Sequence, residues 1–173
     1  MRLRRRIFCG RSCAFIYNSS SASSRLRRRE KMISTKLHPY SHKIGLNFWH
    51  FEWCTKYRYK MMQKLENKNL VQAAIRKAAH EHKIKIHILS VMPDHVHLLA
   101  TLPHGVDDSK AFQLLKGRSA YLIFKNKEKT RLRYPQGHFW AGGGCAVTVG
   151  YNDIGKTTNY IKNQEQHHNV VFT

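Results

Sequence analysis

Residues 84–102 read IKIHILSVMPDHVHLLATL, and this stretch decides the fold. Residues 84–91 alternate, with Ile84, Ile86 and Ile88 on one side, as a strand with one buried face requires. Met92, Pro93 and Asp94 interrupt the pattern, and Pro93 favours a turn. Residues 95–102 then form the second arm of a β-hairpin. His95 and His97 share one face of that arm, roughly 6–7 Å apart, because strand side chains alternate with a period of two. Val96 and Leu98 point the other way, into a core beneath helices.

Upstream, residues 46–54 (LNFWHFEWC) are dense in aromatic and aliphatic side chains, which suits a buried strand. Residues 61–82 have helical composition. Leu65, Val71, Ile75 and Ala78 or Ala79 supply an apolar stripe there, and Asn67 to Asn69 weaken it. Downstream, Asp107, Asp108 or Ser109 can cap a helix running to about Lys125, with Phe112, Leu115, Ala120 and Leu122 among its apolar residues. Residues 131–144 are rich in glycine and aromatics and read as loop. Residues 145–149 read as a short strand, and Asp153 can cap a last helix to about His168. The order is β-α-β-β-α-β-α, and its first six elements follow the split βαβ arrangement. The expected fold is therefore α+β: a ferredoxin-like antiparallel sheet with helices on one face, plus a C-terminal helix that carries candidate catalytic residues.

The chain has 173 residues, enough for one domain with its own core and a tail. No run is long and apolar enough to cross a bilayer, so no membrane partner is expected. With 31 Lys+Arg against 10 Asp+Glu, the formal charge of +21 points to a polyanionic partner, for which nucleic acid is the usual choice. Cys9, Cys13, Cys54 and Cys145 form no pair of CxxC knuckles, which speaks against structural zinc and suits a reduced, cytoplasmic protein.

Residues 1–31 differ from the rest, with ten Lys+Arg, the single acid Glu30 and a Ser-rich stretch at 18–24. They read as a disordered basic extension. An electrostatic arm, an organellar targeting peptide and translated upstream sequence with Met32 as the true start all fit, and the last is preferred. The expected folded domain is 32–173. It keeps 21 basic against 9 acidic residues, so the argument for nucleic acid does not depend on the extension.

Two constellations carry chemistry. The imidazoles of His95 and His97 can converge on one divalent ion, although two histidines on an exposed strand face more often bind nothing. Tyr160 and Gln164 lie four apart on the last helix, hence on one face, with Asp153, Thr157 and His167 near the same stripe. Ile154, Thr158 and Ile161 form a different stripe that can pack on the sheet. A phenol with an ordinary pKa near 10 attacks phosphorus well only when a metal or cations stabilise the phenolate. A metal at the His95–His97 pair would do so, and the Gln164 carbonyl oxygen offers a third ligand that suits Mg²⁺ or Mn²⁺ better than zinc. Lys56, Arg58, Lys116 and Arg118 can contact phosphates. Trp49, Trp53 and Trp140 could stack bases, though core positions are preferred for Trp49 and Trp53.

Taken together, Cys54–Arg58 (CTKYR), Met92–Leu99 (MPDHVHLL), Lys116–Ala120 (KGRSA), Phe139–Gly143 (FWAGG), Val149–Gly150 and Tyr160–Gln164 (YIKNQ) carry a family resemblance. The chain resembles the single-tyrosine transposases of bacterial and archaeal insertion sequences, the small members of the HUH (His-hydrophobic-His) endonuclease superfamily. The resemblance spans about residues 46–168 and excludes 1–31. It implies that His95 and His97 are metal ligands, that Gln164 completes the site, and that Tyr160 forms a 5′-phosphotyrosine bond to DNA. It also implies single-stranded DNA with subterminal hairpins as substrate. A homodimer is implied as well, in which the tyrosine helix of one subunit often works at the His pair of the other. The run Gly142-Gly143-Gly144-Cys145 departs from the pattern, because family members often carry an aromatic after the glycine. Two other readings compete: a domesticated relative that cuts host repeat hairpins, and a catalytically silent nucleic-acid binding module.

Overall fold

A computed structural model describes residues 38–39, 44–45, 47–150 and 153–173; the extension 1–31, Met32 and Tyr151 lie outside the described residues. The elements in chain order are β1 (His38–Pro39), β2 (Ile44–Gly45), β3 (Phe48–Cys54), α1 (Leu65–Glu81), β4 (Lys85–Val91), β5 (His95–Thr101), α2 (Asp108–Asn126), α3 (Thr130–Arg133), β6 (Cys145–Thr148), α4 (Ile154–Lys162) and α5 (Gln164–His167). β1 and β2 form a small antiparallel pair. The main sheet has the order β4-β5-β3-β6, with every neighbouring pair antiparallel. β3 and β4 therefore run parallel with β5 between them, which is the split βαβ arrangement the sequence predicts.

One face of this sheet is the core. Phe51, Trp53, Val96, Leu98 and Ala100 meet Val71, Ala74, Ile75, Ala78 and Ala79 of α1 and Ala111, Leu115, Leu122 and Ile123 of α2. The small alanines of α1 let the two helices lie close against each other and the sheet. α1 runs unbroken through Asn67 to Asn69, and the Asn67 amide is tied to Met61 O at 2.8 Å and to Lys127 Nζ at 2.7 Å. Leu65, expected in the apolar stripe, is exposed at the helix start. α2 begins as expected: the Asp107 carboxylate accepts from the Lys110 amide at 2.6 Å.

The alternation expected for residues 84–91 fails at one point. Ile86 pairs with Ala100 but Ile88 pairs with Leu99, so His87 is an extra residue in a β-bulge. The insertion reverses the faces beyond it. Ile84, Ile86, Leu89 and Val91 belong to the core, whereas Ile88 lies on the opposite side with Leu99.

α4 packs on that opposite face, against β4 and β5. Its buried residues are Ile154, Thr157 and Ile161. The last helix is also shorter than expected, since α4 ends at Lys162 and a separate turn, α5, follows from Gln164. Asp153 stands at the N-cap position but makes no side-chain cap bond. The chain end ties α5 down. The Leu65 amide donates to Thr173 O at 2.8 Å, the Thr173 amide donates to Gln63 O at 3.3 Å, and Lys68 pairs with Glu165 while its ammonium sits 3.5 Å from the Phe172 ring centroid.

Candidate metal and nucleophile site

The face of the sheet beneath α4 carries a row of polar side chains. β3 sends His50 and Glu52 there, because Phe51 and Trp53 take the core face. β5 sends His95 and His97, and Glu52 stands opposite His97 in the ladder. The two β5 histidines share one face as expected, but that face is not exposed: His95 is 5% and His97 0% accessible.

Each β5 histidine is held by its Nδ1 side. His95 Nδ1 lies 2.6 Å from Asp94 Oδ1. His97 Nδ1 lies 3.3 Å from His50 Nε2 and 3.9 Å from Glu52 Oε2. The tautomer that satisfies these partners puts the proton on Nδ1 and leaves Nε2 as a lone pair. Both Nε2 atoms are buried without a hydrogen-bond partner, and so is the Gln164 Oε1 atom. Leaving one such atom unpaired costs about 1–3 kcal/mol, so three acceptors orphaned in one region fit a bound cation. Gln164 is fully buried, and its amide nitrogen donates to Tyr160 O at 3.1 Å, which settles the carbonyl end as the orphan.

Tyr160 is half-buried beside this pair. Its ring stands 5.8 Å from that of His97 and 6.2 Å from that of His50, both edge-on. The sequence reading separated the Tyr160–Gln164 stripe from the packing stripe; Thr157 and Gln164 in fact share the buried side with Ile154 and Ile161. Burial pushes the Tyr160 hydroxyl up from its usual range, and the Glu52 charge adds to that, only partly offset by a hydrogen bond with Gln164. The protein alone therefore disfavours the phenolate, which is the state a nearby cation would restore. Burial lowers His50 to about 4, and burial with the charges of His95, His50 and His168 drives His97 far below its usual value. Both are neutral near pH 7, as metal ligation and its support require. Burial works to raise the Asp94 carboxyl, but its bond with His95 and the Arg58 guanidinium outweigh that and hold it low.

Of the four cations expected at phosphates, three meet protein oxygens and Lys56 meets a ring. Arg58 Nε meets Asp94 Oδ2 at 3.0 Å. Lys116 Nζ caps the Ala141 and Gly143 carbonyls at 2.6 and 3.0 Å. Arg118 grips both oxygens of Glu81 at 2.6 and 3.0 Å. Lys56 lies 5.3 Å from the Tyr57 ring centroid. Trp53 and Trp140 are buried, the latter donating to Ser119 Oγ at 2.9 Å, so neither presents a face for a base; Trp49 is half-buried against the core.

His50 and Glu52 were missed by the sequence reading. The signal was present as a histidine and a glutamate two apart in an otherwise apolar strand. His168 was also missed: its ligand nitrogen, with those of His95 and His97, falls in a group whose members all lie within 4.8 Å of one another.

The sequence family described as "Transposase IS200 like" matches residues 45–164, which contain β3 through Gln164. The chain is 30% identical over 118 residues to the ISDra2 transposase TnpA of Deinococcus radiodurans, covering 67% of this chain and 82% of that protein. It is 28% identical over 116 residues to the transposase for insertion sequence element IS200 of Salmonella typhimurium, covering 67% and 75%. Among solved structures, a proposed transposase from Deinococcus radiodurans superposes with a TM-score of 0.60 at 26% identity, over 73% of this chain and 97% of that one. A REP-associated tyrosine transposase bound to a REP hairpin shares the fold, with a TM-score of 0.52 at 19% identity over 78% and 76%. Since the matched segment takes in both strands of the polar row and the tyrosine helix, and accounts for most of the chain, this protein belongs to the IS200-like transposase family.

Proposed function

We propose that this chain cleaves and rejoins single-stranded DNA at insertion-sequence ends, using Tyr160 as nucleophile and a divalent metal, Mg²⁺ or Mn²⁺, held by His95, His97 and Gln164. The observation that carries this reading is the set of three buried, partnerless acceptors on those residues beside the Tyr160 ring. When bound, such an ion supplies Lewis-acid stabilisation of the charge that develops on the scissile phosphate. The chain's own residues do the rest. α4 places the Tyr160 ring edge-on beside His97, 5.8 Å between ring centroids. The Tyr160 oxygen forms the new bond to phosphorus, the strand's 3′ oxygen leaves and takes up a proton, and the tyrosine keeps a 5′-phosphate ester. Attack by a 3′ hydroxyl on that ester reverses the balance, so rejoining needs no nucleotide cofactor. Asp94 and His50 hold the imidazoles in the ligating tautomer, and the Glu52 carboxylate stands 3.9 Å behind His97 Nδ1.

Substrate grip is assigned to Lys56, Arg58, Lys116 and Arg118, with hairpins near the element ends as the recognised feature. A protein of the same fold solved on a hairpin is in keeping with this. The chain is proposed to work as a homodimer with sites shared between subunits, and residues 32–173 as the working domain.

The test uses labelled single-stranded element ends with Mg²⁺. Wild-type protein is expected to yield a covalent protein–DNA adduct, and Tyr160→Phe to lose it while still binding the DNA. Cleavage by the variant at the wild-type rate would remove Tyr160 as nucleophile, with Tyr151 the next residue to examine.

A further inference from the structure

We propose that His168 is an additional metal ligand, so that this chain holds its ion with three imidazoles and not two. The inference rests on the reading of His95 and His97 given above and concerns what completes their site. The ligand atoms of His95, His97 and His168 all lie within 4.8 Å of one another. The rings of His95 and His168 meet edge-on at 5.3 Å. Two nitrogens on one ion, each about 2.0–2.1 Å from it, stand at most about 4.2 Å apart, so a small rotation closes the group. His168 can make it, because its side chain is exposed while the β5 pair is fixed.

The backbone explains how it gets there. The His168 amide donates to Gln164 O at 3.0 Å, so the two residues sit one helical turn apart on the same face. Gln164 enters the site from the buried end of that turn and His168 closes it from the solvent side. Lys68 holds Glu165, within that same turn, against α1.

The chemical consequence concerns metal choice. Two imidazoles and an amide oxygen suit a hard or intermediate ion, whereas a third imidazole favours Mn²⁺, Co²⁺ or Zn²⁺ over Mg²⁺. Cobalt is a suitable probe, since its visible absorption reports the number and kind of its ligands.

The experiment titrates the full chain with Co²⁺, followed by calorimetry and absorption, for wild type, His168→Ala and His167→Ala. The neighbour His167 is exposed and outside the three-nitrogen group. We expect His168→Ala to weaken Co²⁺ binding tenfold or more, to alter the visible band, and to leave Mg²⁺ affinity within about twofold; His167→Ala should bind Co²⁺ as wild type does. An unchanged affinity and band in His168→Ala, or an equal loss in His167→Ala, would overturn the proposal while leaving the His95–His97 centre standing. Failure of the wild-type protein to bind Co²⁺ or Mn²⁺ at all would overturn both.

Discussion

His50 Nε2 lies 3.3 Å from His97 Nδ1 and can accept its hydrogen bond, which leaves His97 Nε2 with a lone pair. Removing the His50 imidazole leaves Glu52, at 3.9 Å, as the nearest acceptor for His97 Nδ1. Loss of such a supporting group typically costs 10–100-fold in metal affinity. His50→Ala is therefore expected to weaken Mn²⁺ binding by about that factor in calorimetry, with the fold retained by circular dichroism; unaltered binding would mean that His97 needs no support from β3. The same burial has a pH signature. The folded protein holds His50 neutral down to about 4, whereas the unfolded chain takes up its proton near 6.5. Protonation thus favours unfolding: the contribution is full above pH 6.5 and is lost as pH falls toward 4, up to about 3 kcal/mol for His50 alone. His97 adds in the same direction, because its pKa is also depressed. Metal-free protein should show a melting temperature that drops between pH 6.5 and 4, and a flat profile over that window would contradict the burial assigned to these rings.

Among the elements, the β3–β6 edge depends on Gly144. A Cβ there would lie 2.7 Å from two atoms of the Phe112 ring and 3.0 Å from Glu52 O. Phe112 cannot swing aside cheaply, because it is wedged edge-on between Phe51 and Trp53. Gly144→Ala should cost about 1–3 kcal/mol in urea unfolding, and pairing it with Phe112→Ala should recover part of that loss; strictly additive losses would show that ring and glycine do not meet. The hairpin, a cap among Asp107, Asp108 and Ser109, and the order of strands were legible because each is written locally, in alternation, a turn proline and a run of capping residues. The bulge at His87 was not. Isoleucines at 84, 86 and 88 continue one alternation, and only pairing with β5 reveals that Ile88 has changed sides. Nor was the burial of the His pair legible, because it depends on α4 docking, a contact between residues about 60 apart. The stripe on that helix was misassigned for a related reason. Gln164 was expected on the Tyr160 face, apart from the packing stripe, yet it is fully buried along with Ile154, Thr157 and Ile161.

At the scale of the whole molecule, the matched family segment covers residues 45–164, so residues 1–31 fall outside it. A chain starting at Met32 is expected to express, melt within a few degrees of the full chain and form the same DNA adduct. Loss of soluble protein on truncation would show that the extension belongs to the fold. The tie between residues 63–68 and 165–173 has a further bearing on how the site is kept. α4 and α5 are short, and their hold on the sheet rests on a few buried side chains and on that tie. Segments of this kind open locally at a fraction of the free energy of global unfolding. Each opening would hand the His95 and His97 nitrogens to water and carry Tyr160 away, so an ion held as proposed would meet its full set of ligands only in the closed fraction, and its apparent dissociation constant would rise as that fraction falls. On that reading a contact made by residues 165–173 would set an occupancy at β5, and amide exchange rates along α4 would track metal affinity across variants that never touch a ligand.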